Sequence, residues 1–352
     1  MSFHFEYPRV IDPRRPGDFK PATPKYQVRW RTPVTTIVCD YFAIQRKSDD
    51  VAAEQAFFER MRAAYGSVYG PDCFEEMREV DAEGVVNSIA VAYWTELTRF
   101  ALWKNSNPVN AWFKSADRET EGCGYWRETL AIPYDRMETI FSEPYYFGGV
   151  ARTNDCELEA MYVAGYFGAM RDRLPISAID ELNSPYGDNV PVGNFRDGAR
   201  KRVRVDVPPN LVSIRSGQFW AQAKGEQLDD YYENMRPKLE TGMSYLSEHP
   251  EETGCLSMRH ITHLNEKGDE LRETCKHVYI LSLKHLEDWT ESHKSHLDIW
   301  KHALAMRRKY GAERDFVSWH EVFVIGTTPS FEYVNCHAGT GLLRFADIWG
   351  TV

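Results

Sequence analysis

The chain has little of what usually assigns a sequence quickly, and each shortage removes a class of function. Its seven cysteines, at 39, 73, 123, 156, 255, 275 and 336, form no C-x-x-C pair, and an odd count argues against a complete disulfide framework. A reducing cytosol is the default for such a pattern. No run of about 18 apolar residues, the length of a membrane-spanning helix, is present, and the N-terminal M-S-F-H-F-E-Y-P-R lacks an apolar signal region. Basic charge is short: 42 Lys and Arg against 52 Asp and Glu give a net charge of -10, which removes the basic footprint of sequence-independent nucleic-acid binding. The one basic cluster, R-K-R-V-R at Arg200–Arg204, alternates like a strand and reads as a solvated strand face. No G-x-G-x-x-G or P-loop follows a strand, which disfavours a doubly wound nucleotide-binding fold. G-x-S-x-G is also absent, so Ser216 in I-R-S-G-Q is not a nucleophile elbow.

Aromatic rings are abundant. Ten tryptophans and 19 tyrosines in 352 residues suit a flat hydrophobic ligand as well as an ordinary core. The length fits one large or two medium domains. Residues 1–33, dense in proline and mixed charge, read as a wrapping arm without a hydrogen-bond ladder. Residues 34–150 then follow the order β-α-β-α-β, with strands at Thr35–Ile44, Val85–Trp94 and Tyr125–Ile132 and helices at Val51–Tyr65, Leu97–Trp103 and Val109–Phe113. Pro133–Asp155 reads as a linker and Glu157–Arg171 as a helix. Leu174–Asn194 is a long loop of the kind that is often functional.

Across residues 151–352 the order recurs. Strands are expected at Lys201–Val207, Leu211–Ile214, Cys255–Leu264, His277–Leu283, Val317–Gly326 and Phe331–Cys336. Helices are expected at Leu228–His249 and from Leu286 to about Arg308. Trp103 aligned on Trp289 sets Asn107 on His293 and Asn110 on His296. Trp126-Arg127-Glu128 then matches Trp319-His320-Glu321 after a shift of seven residues. The scaffold agrees between halves while histidine appears in the second alone, so a site is expected there. Two such halves suggest an α+β architecture: two ferredoxin-like units whose sheets join into a barrel, with helices outside and a cavity at one end.

The stretch W-T-E-S-H-K-S-H-L-D-I-W, Trp289–Trp300, carries the strongest chemical signal. His293 and His296 do not complete a zinc site, which needs three or four ligands. His302 lies about 240° round from His296 on a helix. One axial histidine from a helix, among aromatic and aliphatic residues, is what a b-type haem needs. In V-S-W-H-E-V-F-V, strand alternation puts His320 on one face with Ser318, Val322 and Val324, and Glu321 on the other. His320 is either a satisfied core histidine or a general acid or base. Ser216 is either a turn residue or a hydroxyl donor to a ligand. Arg171 and Arg173 in M-R-D-R either complement a helix end or meet a developing anion, with Asp172 as a possible partner for one of them.

Five motifs in order, G-Y-F-G-A-M-R-D-R-L-P-I-S, I-R-S-G-Q-x-W, W-T-E-S-H-x-x-H, W-H-E-V and Y-V-N-C-H-x-x-T-G, run from Gly165 to Gly341. Together they resemble the haem-containing aldoxime dehydratases, a family that includes phenylacetaldoxime and alkylaldoxime dehydratases. The resemblance implies a lyase converting R-CH=N-OH to a nitrile and water on ferrous haem b. It implies His296 as the proximal haem-iron ligand, Ser216 and Arg173 as holders of the oxime oxygen, and His320 as the distal acid and base. A homodimer is implied in the same way. The pattern departs at one place: Ala164-Gly165-Tyr166-Phe167-Gly168 stands where relatives carry roughly H-x-Y-W-G. The alternatives are a haem sensor or carrier, which needs His296 and a pocket only, and a peroxidase-like haem protein on the same scaffold.

Overall fold

The computed structural model describes every residue except 1, 22, 47–49, 199–200, 327–328 and 352. Fourteen strands form one sheet: β1 Lys25–Trp30, β2 Thr36–Arg46, β3 Cys73–Val80, β4 Val86–Trp94, β5 Gly124–Pro133, β6 Met137–Phe141, β7 Cys156–Met161, β8 Arg202–Val205, β9 Val212–Phe219, β10 Cys255–Leu264, β11 Glu270–Ile280, β12 Val317–Val324, β13 Ser330–Val334 and β14 Gly350–Thr351. They lie in the order β14-β8-β13-β5-β2-β4-β3-β10-β11-β9-β12-β6-β1-β7. Their pairings are antiparallel throughout.

Two four-stranded groups stand out. In β2, β3, β4 and β5 the sheet order is fourth, first, third, second. The helix Val51–Tyr65 follows the first strand, and Leu97–Ser106 with Pro108–Lys114 follow the third. The group β9, β10, β11 and β12 has the same order, with Arg236–Glu248 after its first strand and Leu283–Ser292 with Lys294–Tyr310 after its third. The groups meet where β3 pairs with β10. Each packs one face against its own helices, through Phe42, Phe57, Trp94 and Trp103 in the first and Ile214, Leu246, Val278 and Trp289 in the second. The opposite faces share one core containing Tyr41, Ile89 and Trp126 with Ile261, Tyr279 and Trp319.

Two buried ion pairs cross between the groups inside that core. Arg215 of β9 lies 2.6 Å from Glu75 of β3 and donates to the Tyr93 hydroxyl at 2.9 Å. Arg259 of β10 reaches both oxygens of Glu128 on β5, at 2.6 and 2.7 Å. Burial opposes ionisation of Glu75, but Arg215, His263 and Arg152 hold its carboxyl well below the usual range.

Several expectations change. The arm is not free of a ladder: β1 within it pairs residue for residue with β7, Lys25 with Met161 through Trp30 with Cys156. No proline lies between Pro24 and Pro33, and in that stretch Val28 and Trp30 alternate into the core. The expected helix Glu157–Arg171 is therefore a strand up to Met161. Gly165 and Gly168 follow with φ of 83° and 87°, which only glycine adopts readily, so helix remains only at Ala169–Asp172. The expected linker contains β6. The expected helix from Leu286 breaks at His293, whose extended backbone separates two helices. Arg202 and Arg204 do alternate with buried Val203 and Val205; Arg200 lies outside the described residues. Among the described residues no helix is long and apolar enough to cross a membrane, and all seven cysteines are free.

Replacing Arg215 by methionine nearly keeps volume but leaves the buried Glu75 with the half-exposed Arg152, at 3.3 Å, as its remaining arginine, so unfolding free energy in urea should fall by about 3 kcal/mol. Adding Glu75→Gln should recover part of that loss; no recovery would remove the pair from its role.

Candidate active site

β12 pairs with β9 on one side and β6 on the other. That register sets His320 opposite Ser216 and opposite Ile140. Directly opposed residues point to the same face of an antiparallel sheet, with Cβ atoms about 5 Å apart. The face here is the one turned to the helices. Ser216 is not a turn residue, as β9 runs on to Phe219. Gly217 explains the misleading signal: a Cβ there would meet the Trp319 indole at 2.2 Å. The glycine records close ring packing on the opposite face, not a chain reversal.

Glu138 of β6 joins this row. Its Oε1 lies 2.9 Å from His320 Nε2, and its Oε2 accepts from Arg173 Nε at 2.6 Å. Arg173 also donates to the Val163 carbonyl at 2.9 Å, and its Nη2 lies 3.3 Å from His320 Nε2. The side chains of Glu138 and Arg173 are 1% and 4% exposed and that of His320 is 20% exposed, so the histidine alone faces an opening. Burial pushes the Glu138 carboxyl up, but Arg173 and His320 outweigh it and hold the pKa at about 2. Nε2 thus has a partner in either state. Carrying a proton it donates to Glu138; without one it accepts from Arg173.

His296 sits in the first turn of Lys294–Tyr310. Its Nδ1 lies 2.7 Å from the Thr290 carbonyl. A carbonyl only accepts, so Nδ1 carries the proton and Nε2 keeps its lone pair. Among the described residues none hydrogen-bonds that Nε2. Burial is the main influence lowering the His296 pKa, with His320 also lowering it against the Thr290 bond. A neutral imidazole fixed through Nδ1 with Nε2 free is the form a metal ligand takes. His293 is spent elsewhere: it caps the helix through the Ser295 N–H, and its ring stacks on Tyr245 at 3.6 Å. His302 lies 3.2 Å from Asp230.

Structure therefore brings Ser216, His320 and Arg173 together and sets His296 within electrostatic reach of His320. Arg171 is separated from them, pairing with Glu287 at 2.7 Å and with the Glu181 carbonyl. Asp172 pairs with neither arginine; it accepts from the Tyr166 hydroxyl at 2.7 Å and the Arg14 amide. Glu138 is the member that sequence reasoning missed. It lay inside an apparent linker, where the alternation of M-E-T-I-F was the available signal. At the departing segment Ala164 is buried, and the Phe167 ring lies 6.0 Å from that of Trp300, one helical turn beyond His296.

Comparison with known proteins adds to this geometry. The family model described as haem-containing dehydratase matches residues 40–342. The chain is 32% identical over 336 residues to the phenylacetaldoxime dehydratase of Bacillus sp. (strain OxB-1), covering 95% of this chain and 94% of that one. It is 32% identical over 352 residues to an aliphatic aldoxime dehydratase of Pseudomonas sp., covering 99% and 98%. A crystal structure of an aldoxime dehydratase in complex with butyraldoxime superposes with a TM-score of 0.88, at 29% identity over 98% of this chain and 95% of that one.

The Glu138 pKa of about 2 lies below the carboxylate's ordinary 4.5. Such a group stabilises the fold above pH 4.5, and that contribution is lost as pH falls toward 2. Between pH 5 and 2 the wild type should lose on the order of 3 kcal/mol more unfolding free energy than Glu138→Gln. Parallel curves from urea titrations at stepped pH would overturn this.

Proposed function

The chain belongs to the haem-containing dehydratase family, and on that premise we propose that it dehydrates aldoximes, R-CH=N-OH, to nitriles and water. The observation that carries the reading is the Arg173–Glu138–His320 cluster beside Ser216, with a free imidazole nitrogen on His296 to face it. His296 fits haem as a proximal ligand, since its Nε2 is free and its Nδ1 is held by Thr290. Held there by His296, ferrous haem would supply an electron-rich Lewis acid for the oxime.

The protein's own groups do the rest. Hydroxide is a poor leaving group, so the oxygen needs a proton as the N–O bond breaks. We assign that proton to the His320 imidazolium. Ser216 and Arg173 hold the oxygen in line and take up negative charge growing on it. The lone pair that returns to the imidazole then accepts the proton from the aldoxime carbon. One proton is given and one taken, the N–O and C–H bonds break, a third C–N bond forms, and the histidine is restored. Glu138 does not touch the oxime in this scheme; it positions His320 and Arg173.

A carrier needs no proton donor beside an anion cradle, which is why we prefer a lyase. We also read the two four-stranded groups as ferredoxin-like units joined into a barrel, one compact body that pairs as a homodimer in the cytosol. The shared strand order and the free cysteines support that reading.

Purified protein should show a Soret band and, reduced with dithionite without oxygen, release nitrile from phenylacetaldoxime; folded protein without haem would end the reading. His320→Ala should keep haem and lose at least about 100-fold in kcat, whereas undiminished turnover would remove its role. His296→Ala should lose haem or change its spectrum, and an unchanged spectrum would move the ligand to His293.

A further inference from the structure

The row of side chains that holds the site does not stop at Ser216. Lys276 of β11 is the direct cross-strand partner of Ser216, and His260 of β10 is the partner of Lys276. All three share the face of His320. One step along, Gln218, Thr274 and Thr262 form a parallel row. Lys276 and His260 of the first row, with Gln218, Thr274 and Thr262 of the second, floor a cleft of about 440 Å³ beneath the helix Arg236–Glu248. Its wall is Trp220 stacked on Tyr231 at 4.3 Å. Tyr231 opens a π-helical turn, Tyr231–Met235, a local widening often found at functional sites.

The charges in this cleft do not cancel. Arg236 is taken by Glu240 at 2.8 Å, and Glu270 turns to Arg78 at 3.7 Å. Lys276 and Arg272 are left without a carboxylate among the described residues. Lys276 Nζ lies 2.7 Å from His260 Nδ1, and Arg272 reaches only the Ala223 carbonyl, at 3.5 Å. Loss of water around Lys276 is the main influence drawing its pKa below the ordinary lysine value. An under-hydrated ammonium without a counter-ion, hydroxyl and amide donors beside it, and an aromatic wall form a pocket for an anion carried on an organic body.

We propose that this cleft is a carboxylate-binding subsite continuous with the catalytic row, with Lys276 as its anchor and Arg272 as its second cation. The proposal rests on the dehydratase reading, because that reading makes Ser216 the near end of the row. Two carboxylates could reach it: an acid group on the side chain of the oxime, or a propionate of haem. The chemistry asked of Lys276 is the same for both.

Two measurements on holoenzyme separate them, each comparing wild type with Lys276→Met and Lys276→Arg. The first is the rate of haem loss to excess apomyoglobin, followed in the visible spectrum, for enzyme carrying haem or its dimethyl ester. The second is the ratio of kcat/KM for 4-(hydroxyimino)butanoate to that for butyraldoxime. A propionate on Lys276 predicts that Lys276→Met speeds loss of haem roughly tenfold or more, but not loss of the ester. A substrate carboxylate predicts a similar fall in the kcat/KM ratio. In both cases Lys276→Arg stays near wild type. The exposed Arg272→Gln should shift the same quantity less, and serves if Lys276→Met does not fold. Haem loss and ratio both within about twofold of wild type in the charge-removing variants would overturn the subsite. If wild type fails to convert butyraldoxime, the dehydratase reading falls, and the haem-loss measurement still decides the subsite.

Discussion

The site depends on a single buried carboxylate. Glu138 is shut away from water, which costs an isolated carboxylate far more than any one contact returns. It stays ionised because Arg173 and His320 meet its two oxygens separately. Each partner is in turn fixed by it. Arg173 comes from an irregular segment with one helical turn, and without an acceptor at its Nε its only other short bond is to a carbonyl. His320 comes from a strand, where the ring can rotate about χ1 and χ2. The carboxylate converts two adjustable side chains into one rigid group, and it needs β6 beside β12 to do so. β6 in turn is flanked by β1, so a strand from the N-terminal arm supports the histidine from two strands away.

The two four-stranded groups show what a site requires by contrast. Asn107 caps the helix Pro108–Lys114 as His293 caps Lys294–Tyr310. The aligned positions further on diverge in chemistry. Asn110 accepts from Arg127 at 2.6 Å, and Arg127 also binds Asp40 and lies over the rings of Phe42 and Trp103. That side chain fills the space between helix and sheet. In the second group His320 is shorter than its counterpart Arg127, it does not bond to His296, and Ser216 stands where Phe42 stands opposite Arg127. The arginine and phenylalanine that pack the first layer thus have smaller counterparts, His320 and Ser216, in the second.

Much of this was legible from residue order alone. Strand periodicity assigned His320 and Glu321 to opposite faces, and the structure keeps them there: Glu321 accepts from Tyr93 and the Val150 amide inside the core. The internal echo pointed to the second group, and Ser216, His296 and His320 lie there, while Glu138 and Arg173 come from outside it. What escaped notice was set by partners distant in sequence. β7 has a helical composition but is claimed by β1, more than a hundred residues away, and a ladder of six residue pairs overrides weak local preference. β6 is only five residues long and sits among prolines and glycines, so Glu138 carried no local mark of its importance. Gly217 was legible as special but for the wrong reason, because a glycine that admits an indole looks in sequence like a glycine that admits a turn.

One consequence follows from the alternation itself. Ser216 and His320 are each adjacent to a buried charge, Arg215 and Glu321, pointing the other way. On one side of β9 and β12 the sheet offers reactive groups to a ligand; on the other it is pinned by Arg215, Glu75, Tyr93 and Glu321 into the core shared with the first group. A slip of one residue in either strand would exchange the two sets. A slip of β12 would drive His320 against the Arg215 guanidinium, and a slip of β9 would turn Arg215 away from Glu75, so the ionic core makes the register costly to lose. The first group then has a task although its own cavity is filled. It supplies the Glu75 carboxylate and the Tyr93 hydroxyl that hold the back of β9 and β12, so the positions of Ser216 and His320 are fixed from the opposite face of the sheet.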